Sequence, residues 1–130
     1  MRFPSREVVE RVRKAYPRGC RVELTHMEDM QAPPIGTRGT VTGVDDIASI
    51  MVKWDNGSGL SVAYGEDSCR KLDSVVTVCY GERQVWDDRK DAAAFFLEAM
   101  TATEGSEQSR YTKIYTEIMS GLSECTDEEE

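Results

Sequence analysis

Few residues of this chain have side chains suited to catalysis or metal binding. One histidine, His26, and four cysteines, Cys20, Cys69, Cys79 and Cys125, are the natural ligands and nucleophiles. The thiols form no CxxC pair and are scattered rather than set at ligand spacing, which argues against zinc. Cys69 in "VAYGEDSCRKL" is followed by Arg70 and Lys71, cations that can lower a thiol pKa. The same stretch lacks the strand-to-helix elbow of a nucleophile, and His26 is the only imidazole base. A structural thiol is expected there. The acidic pairs Asp45-Asp46, Glu66-Asp67 and Asp87-Asp88 do not make dyads by adjacency, because neighbours on a strand point to opposite sides. Acid–base work needs two carboxyls converging on one cleft with separated pKa values. Turns and helix caps account for all three pairs. "GTRGTVTG" feeds no lysine and hydroxyl into a phosphate loop. The expectation is a chain that is not an enzyme, with no catalytic residue, no cofactor and no metal.

Binding chemistry is better supplied. The formal net charge is -8. Residues 1–74 balance, with 11 Lys/Arg against 11 Asp/Glu, while residues 75–130 hold 5 against 13. An acidic half repels nucleic acid and attracts a basic protein. Glu98, Glu104, Glu107 and Glu117 are the candidate acidic face, joined by Asp45 and Asp46 as protein-binding residues. Solubility alone also explains such charge. The alternative is a nucleic-acid-binding module using Arg11, Arg18, Arg21, Arg38 and Lys53 of the balanced half. Loop and groove candidates are Met30, Pro33, Pro34, Ile35, Trp54 and Tyr64, with the core favoured for Trp54 and Tyr64.

These residues must be positioned by two different patterns. "SREVVERVRKAY" places Val8, Val12, Ala15 and Tyr16 on one helical face, with Ser5 as cap and Pro17 as stop. The period then becomes two. "CRVELTHM", "TRGTVTGV" and "IMVKW" read as strands. In "WDNGSGLSVAYGEDS" a glycine-rich loop precedes a return strand with Leu60, Val62 and Tyr64 inward, and Cys69 to Leu72 can add a last short strand. Short strands curved at glycines predict a closed SH3-like antiparallel barrel. "VVTVCY-GE-RQVW" predicts a hairpin around Gly81-Glu82 with a type II′ turn. Two antiparallel helices follow: Asp87 or Asp88 caps the first and Gly105 stops it. The second carries Tyr111, Ile114, Tyr115, Ile118, Met119 and Leu122 on one face. "ECTDEEE" reads as a frayed acidic tail. The predicted class is α+β, with residues 1–74 as helix plus barrel and 75–130 as hairpin plus two-helix acidic module.

No run approaches a membrane span, and "MRFPSREVVERV" carries charges where a signal peptide needs an apolar core. Two disulfides are possible by arithmetic but lack a supporting leader. A soluble cytoplasmic protein with reduced thiols is expected.

Several spaced elements together carry a family resemblance: Tyr16 to Gly19, Val22 to Leu24 with Met27, Pro33 to Val41, Val44 to Asp46, Val52 to Ser58, and Gly65 to Ser68. With these, residues 16–72 resemble the small-domain family DUF4314; Cys20 departs from the threonine common there. The segment from Ala92 onward is similar to tails attached to such domains in proteins of conjugative elements and phages. The resemblance brings no catalytic residues. It implies an accessory factor of a mobile genetic element, acting on a basic host protein such as a nucleic-acid-guided nuclease, as an inhibitor of anti-CRISPR or anti-restriction type.

Overall fold

The computed structural model describes residues 3–128. Among these, three helices and seven strands form two sheets, an α+β fold. The chain divides into two compact units, Met1–Leu72 and Asp73–Glu130.

The first unit opens with α1 (Arg6–Ala15), whose first turn is capped by Ser5 Oγ accepting from the Val8 amide at 3.3 Å. Val9 is its buried residue, and Val12 and Tyr16 pack on the core. The buried stripe therefore runs 9-12-16, and Ala15 is exposed. Strands β1 (Arg21–His26), β2 (Arg38–Val44), β3 (Ile50–Trp54) and β4 (Ser68–Lys71) form an antiparallel sheet in the order β3-β2-β1-β4. Its inner face gathers Val22, Leu24, Val41, Val44, Ile50, Val52 and Trp54, with Val62 from the following loop. Each such side chain, once buried, contributes roughly 1.5–3 kcal/mol. Trp54 satisfies its indole N–H by donating to the Leu60 carbonyl at 2.8 Å. Gly39 lets β2 and β3 meet: a Cβ there would lie 2.6 Å from Val52 Cγ1 and 2.8 Å from the Lys53 carbonyl oxygen.

The sheet does not close into a barrel, which corrects the SH3-like expectation. Closure requires a continuous ladder between β3 and the strand that returns beside it. The returning segment makes one bridge, Val62 with Ile50, through reciprocal hydrogen bonds of 2.9 and 2.8 Å. On either side of it the backbone turns, at Asp55–Gly57 and again at Tyr64–Glu66. Leu60 and Tyr64 consequently belong to no strand, and Tyr64 is half exposed rather than core.

In the second unit, β5 (Val75–Cys79) and β6 (Glu82–Trp86) make the hairpin. Its two-residue loop is Tyr80-Gly81, one position earlier than expected. Both residues have positive φ, 53° and 79°, so the turn is of the I′ kind rather than II′. Helices α2 (Arg89–Thr101) and α3 (Gly105–Met119) pack on each other and on the sheet around Val75, Ala92, Phe96, Ile114, Ile118 and Cys125. Gly105 begins α3 instead of closing α2, which ends at Thr101 with Ala102 as its C-cap. Asp88 stands at the N-cap position, but its carboxylate accepts from the Asp73 amide at 3.0 Å rather than from the helix. Arg89 donates to the carbonyls of Ile118 and Leu122 at 2.8 and 2.9 Å, and thereby holds the start of α2 against the end of α3, antiparallel. Met119 and Leu122 fall outside the packed face and are exposed.

The described part of the acidic tail, residues 124–128, is not a frayed end. Glu124–Thr126 is β7, parallel to β5 at the edge of the sheet, with Cys125 buried in the core of the unit. Glu129 and Glu130 lie outside the described residues.

Candidate functional site

The antiparallel register decides which basic residues of the first unit meet. Arg21 stands opposite Thr40, which stands opposite Lys53, while Glu23 stands opposite both Arg38 and Arg70. Val22 and Leu24 point into the core, so Arg21 and Glu23 point out. Arg21, Arg38 and Lys53 therefore share the outer sheet face, with Arg70 added. Two carboxylates are woven among them. Asp55 accepts both ends of the Arg21 guanidinium at 2.8 and 2.6 Å, and Glu23 accepts from Arg70 Nε at 2.7 Å. The Arg21 hydrogen bonds outweigh partial burial and hold the Asp55 carboxyl below the usual range. Arg11 rides on α1, which packs on the inner face, and Arg18 is exposed in the turn before β1, so neither joins the outer row.

Asp45 and Asp46 have structural partners. Asp45 Oδ1 accepts from the Ile47 and Ser49 amides at 3.1 and 2.9 Å and organises the β2–β3 turn. Asp46 pairs with Arg13 at 2.9 Å from an almost fully exposed position. An apolar groove of about 260 Å³ lies between Val12, Tyr16, Ile50, Val62, Tyr64 and Cys69. Among the other loop candidates, Met30 and Ile35 are exposed, Pro33 is buried and Pro34 is exposed.

The second unit divides its glutamates. Glu98 on α2 and Glu104 before α3 are open to solvent. Glu107 accepts from the Tyr111 hydroxyl at 3.2 Å. Glu117 lies ten residues further along α3, about 15 Å up the helix. It accepts from Lys113 at 2.6 Å and from the Thr126 amide at 3.0 Å, and so ties β7 to α3. Glu117 is thus engaged within the unit, while Glu98 and Glu104 stay open to solvent. That arrangement does not carry the narrower expectation of a nuclease inhibitor working through an acidic channel mimic.

What composition did not reveal is an aromatic chain. Tyr80 and Tyr111 meet edge to face at 6.4 Å, Tyr111 and Phe96 lie 6.1 Å apart, Phe96 and Phe95 5.1 Å, and Phe95 and Trp86 5.4 Å. The Arg110 guanidinium sits 4.8 Å over the Tyr80 ring. Arg110 also pairs at 2.9 Å with Asp127, whose side chain is fully buried and also accepts from the Tyr80 amide. Asp127 was hidden in sequence by the acidic run around it. The aromatics come from a hairpin turn, the end of β6 and two helices, so no local spacing links them.

The thiols are held neutral. Burial pushes Cys69 up to about 11, helped by Cys20 and opposed by a hydrogen bond with Tyr16. Burial also raises Cys20, Cys79 and Cys125. Thiolate nucleophilicity is correspondingly suppressed. His26 is on the surface, 4.0 Å from Glu28. Among the described residues, no three His, Cys, Asp or Glu side chains form a set able to hold a metal ion. No helix among them is long and apolar enough to cross a membrane.

Residues 5–72 match a family model described as a domain of unknown function, DUF4314. No curated protein and no solved structure matches the chain.

Proposed function

This chain belongs to the DUF4314 family, whose description assigns no activity, and we propose that it is a non-enzymatic protein-binding accessory factor with a basic protein as partner. The observation that carries this reading is the set of large apolar side chains left open in the second unit: Tyr80 and Val85 at 58% exposure and Phe95 at 52%. They sit in a segment, residues 73–130, with 14 Asp/Glu and 5 Lys/Arg. Aromatic anchors surrounded by charge are the composition of a recognition surface, since aromatics dominate interface energetics and rim charges steer encounter. Action in the cytoplasm is part of this proposal.

A second reading rests on the shared outer face of Arg21, Arg38, Lys53 and Arg70, which fits a nucleic-acid backbone better than scattered arginines do. Asp55 and Glu23 in the same row reduce its net charge and place this reading second. Affinity capture with the full chain, paired with DNA and RNA titrations at low salt, separates the two. Capture of a basic protein, weakened by Phe95→Ala and by Glu98→Lys with Glu104→Lys, supports protein binding. Salt-sensitive binding to free nucleic acid, lost in Lys53→Glu, would replace it with the second reading.

A further inference from the structure

Between β6 and the two helices the second unit leaves a slot of about 180 Å³. That is room for roughly six waters, enough for one extended side chain. Tyr80, Phe95, Phe96 and Tyr111 wall it, and Glu82 and Gln84 line it from β6. The rings are not stacked flat. Tyr80 and Tyr111 cross at 77° and Phe95 and Phe96 at 81°, so faces and edges turn toward the space from different directions. Two carboxylates serve it: Glu82 in the lining, and Glu107 through its hydrogen bond with the Tyr111 hydroxyl. Cys79 on the slot's floor responds to both. Burial raises its thiol first, and Asp127, Glu107 and Glu82 add to the rise against Arg110. Among the described residues, the one charged side chain in the slot's lining is a carboxylate, Glu82. Arg110 does not line the slot; it is paired with Asp127 and already sits over the Tyr80 ring, so the walls that offer an incoming cation a ring are Phe95, Phe96 and Tyr111.

Aromatic walls with carboxylates at hand are the chemistry that receives an alkylammonium: the rings attract the cation and cover its methylenes, and the carboxylates complete the charge. Glu82 and Gln84 are exposed at the slot's mouth, so a purely apolar guest would gain nothing from them, and an anion would be repelled by Glu82. We propose that this slot binds the side chain of a lysine presented by the partner protein. The inference rests on the protein-binding reading above and specifies the subsite.

The probe is N-acetyl-lysine N-methylamide, titrated into the full chain and followed by backbone amide chemical shifts, with the norleucine counterpart as its uncharged control. Shifts are expected at Thr77, Cys79, Glu82 and Gln84, with the lysine compound favoured by about tenfold. Phe95→Ala removes a wall from a half-exposed position and should abolish the shifts, while Glu82→Gln should weaken binding and bring the two compounds closer in affinity. Equal affinity for norleucine, shifts confined to other surfaces, or no shifts with the probe at its solubility limit would overturn the proposal. Partner capture keeps the two ideas apart. A partner retained by the full chain with no lysine binding defeats the slot alone; lysine binding with no protein partner defeats the protein-binding reading alone.

Discussion

Cys69 and Asp127 show how surroundings override composition at single residues. Cys69 precedes two cations in sequence, yet it lies against the core with Tyr16 hydrogen-bonded to it, and desolvation wins. Its thiol should stay unmodified by iodoacetamide at about pH 8 and react progressively as pH approaches its raised value of about 11. Modification at an ordinary thiol's rate at neutral pH would contradict the assignment. Asp127 is the opposite case. Burial alone would raise its pKa, but the Tyr80 amide and Arg110 outweigh burial and hold the carboxyl below the usual range. A depressed folded value means the carboxylate stabilises fully above the unfolded aspartate pKa of about 3.9, and that stability is lost as pH falls through the folded value. Asp127→Asn should therefore cost about 1 kcal/mol at neutral pH, a modest figure because Arg110 is half in solvent. Urea melts should show wild type and variant converging below about pH 4. A constant difference across that range would remove Asp127 from the acid response.

At the scale of elements, two positions hold neighbours together. Gly39 is required by proximity. A methyl group there meets backbone as well as Val52, and the Lys53 carbonyl cannot rotate away without breaking the β2–β3 ladder. Gly39→Ala should destabilise the first unit by about 1–3 kcal/mol, read from denaturant midpoints. Arg89 works differently. One guanidinium serves the carbonyls at the end of α3 and the Asp73 carboxylate at 2.7 Å. Lysine cannot span those acceptors with a planar fork, so Arg89→Lys should recover little of the stability lost in Arg89→Ala, a loss of about 2 kcal/mol. Full rescue by lysine would show that charge at the helix end, rather than geometry, is what matters.

For the molecule as a whole, the two units have separate cores and unequal charge. The first is nearly balanced and displays a mixed, internally paired sheet face; the second is acidic and displays aromatics. If attraction brings a basic partner to the second unit, association should slow steeply as salt rises from about 50 to 500 mM, because screening shortens the reach of surface charge. Dissociation should depend mainly on Phe95 and its neighbours. Salt-independent association would leave the acidic charge with solubility as its role.

Local patterns were readable wherever neighbours in sequence are neighbours in space. The capped helix at Ser5, the alternation of Ile50, Val52 and Trp54, the hairpin and the paired helices all follow from periods of 3.6 or 2 and from turn chemistry. The spaced motifs from Tyr16 to Ser68 likewise sufficed to identify the family. Closure of the first sheet was not readable. It depends on how many residues beyond Val62 can keep pairing with β3, and turns on both sides stop them. The strand at Glu124–Thr126 was masked by its charge: its burial depends on a parallel partner nearly fifty residues away, a pairing that no local period records. The same holds for the site. Glu117 and Glu98 look alike in sequence, and only the fold assigns one to anchoring β7 and leaves the other in solvent. The aromatic slot exists because a turn residue and residues of two helices converge on the β5–β6 hairpin, and such convergence is a property of tertiary packing, in which distance along the chain has no part.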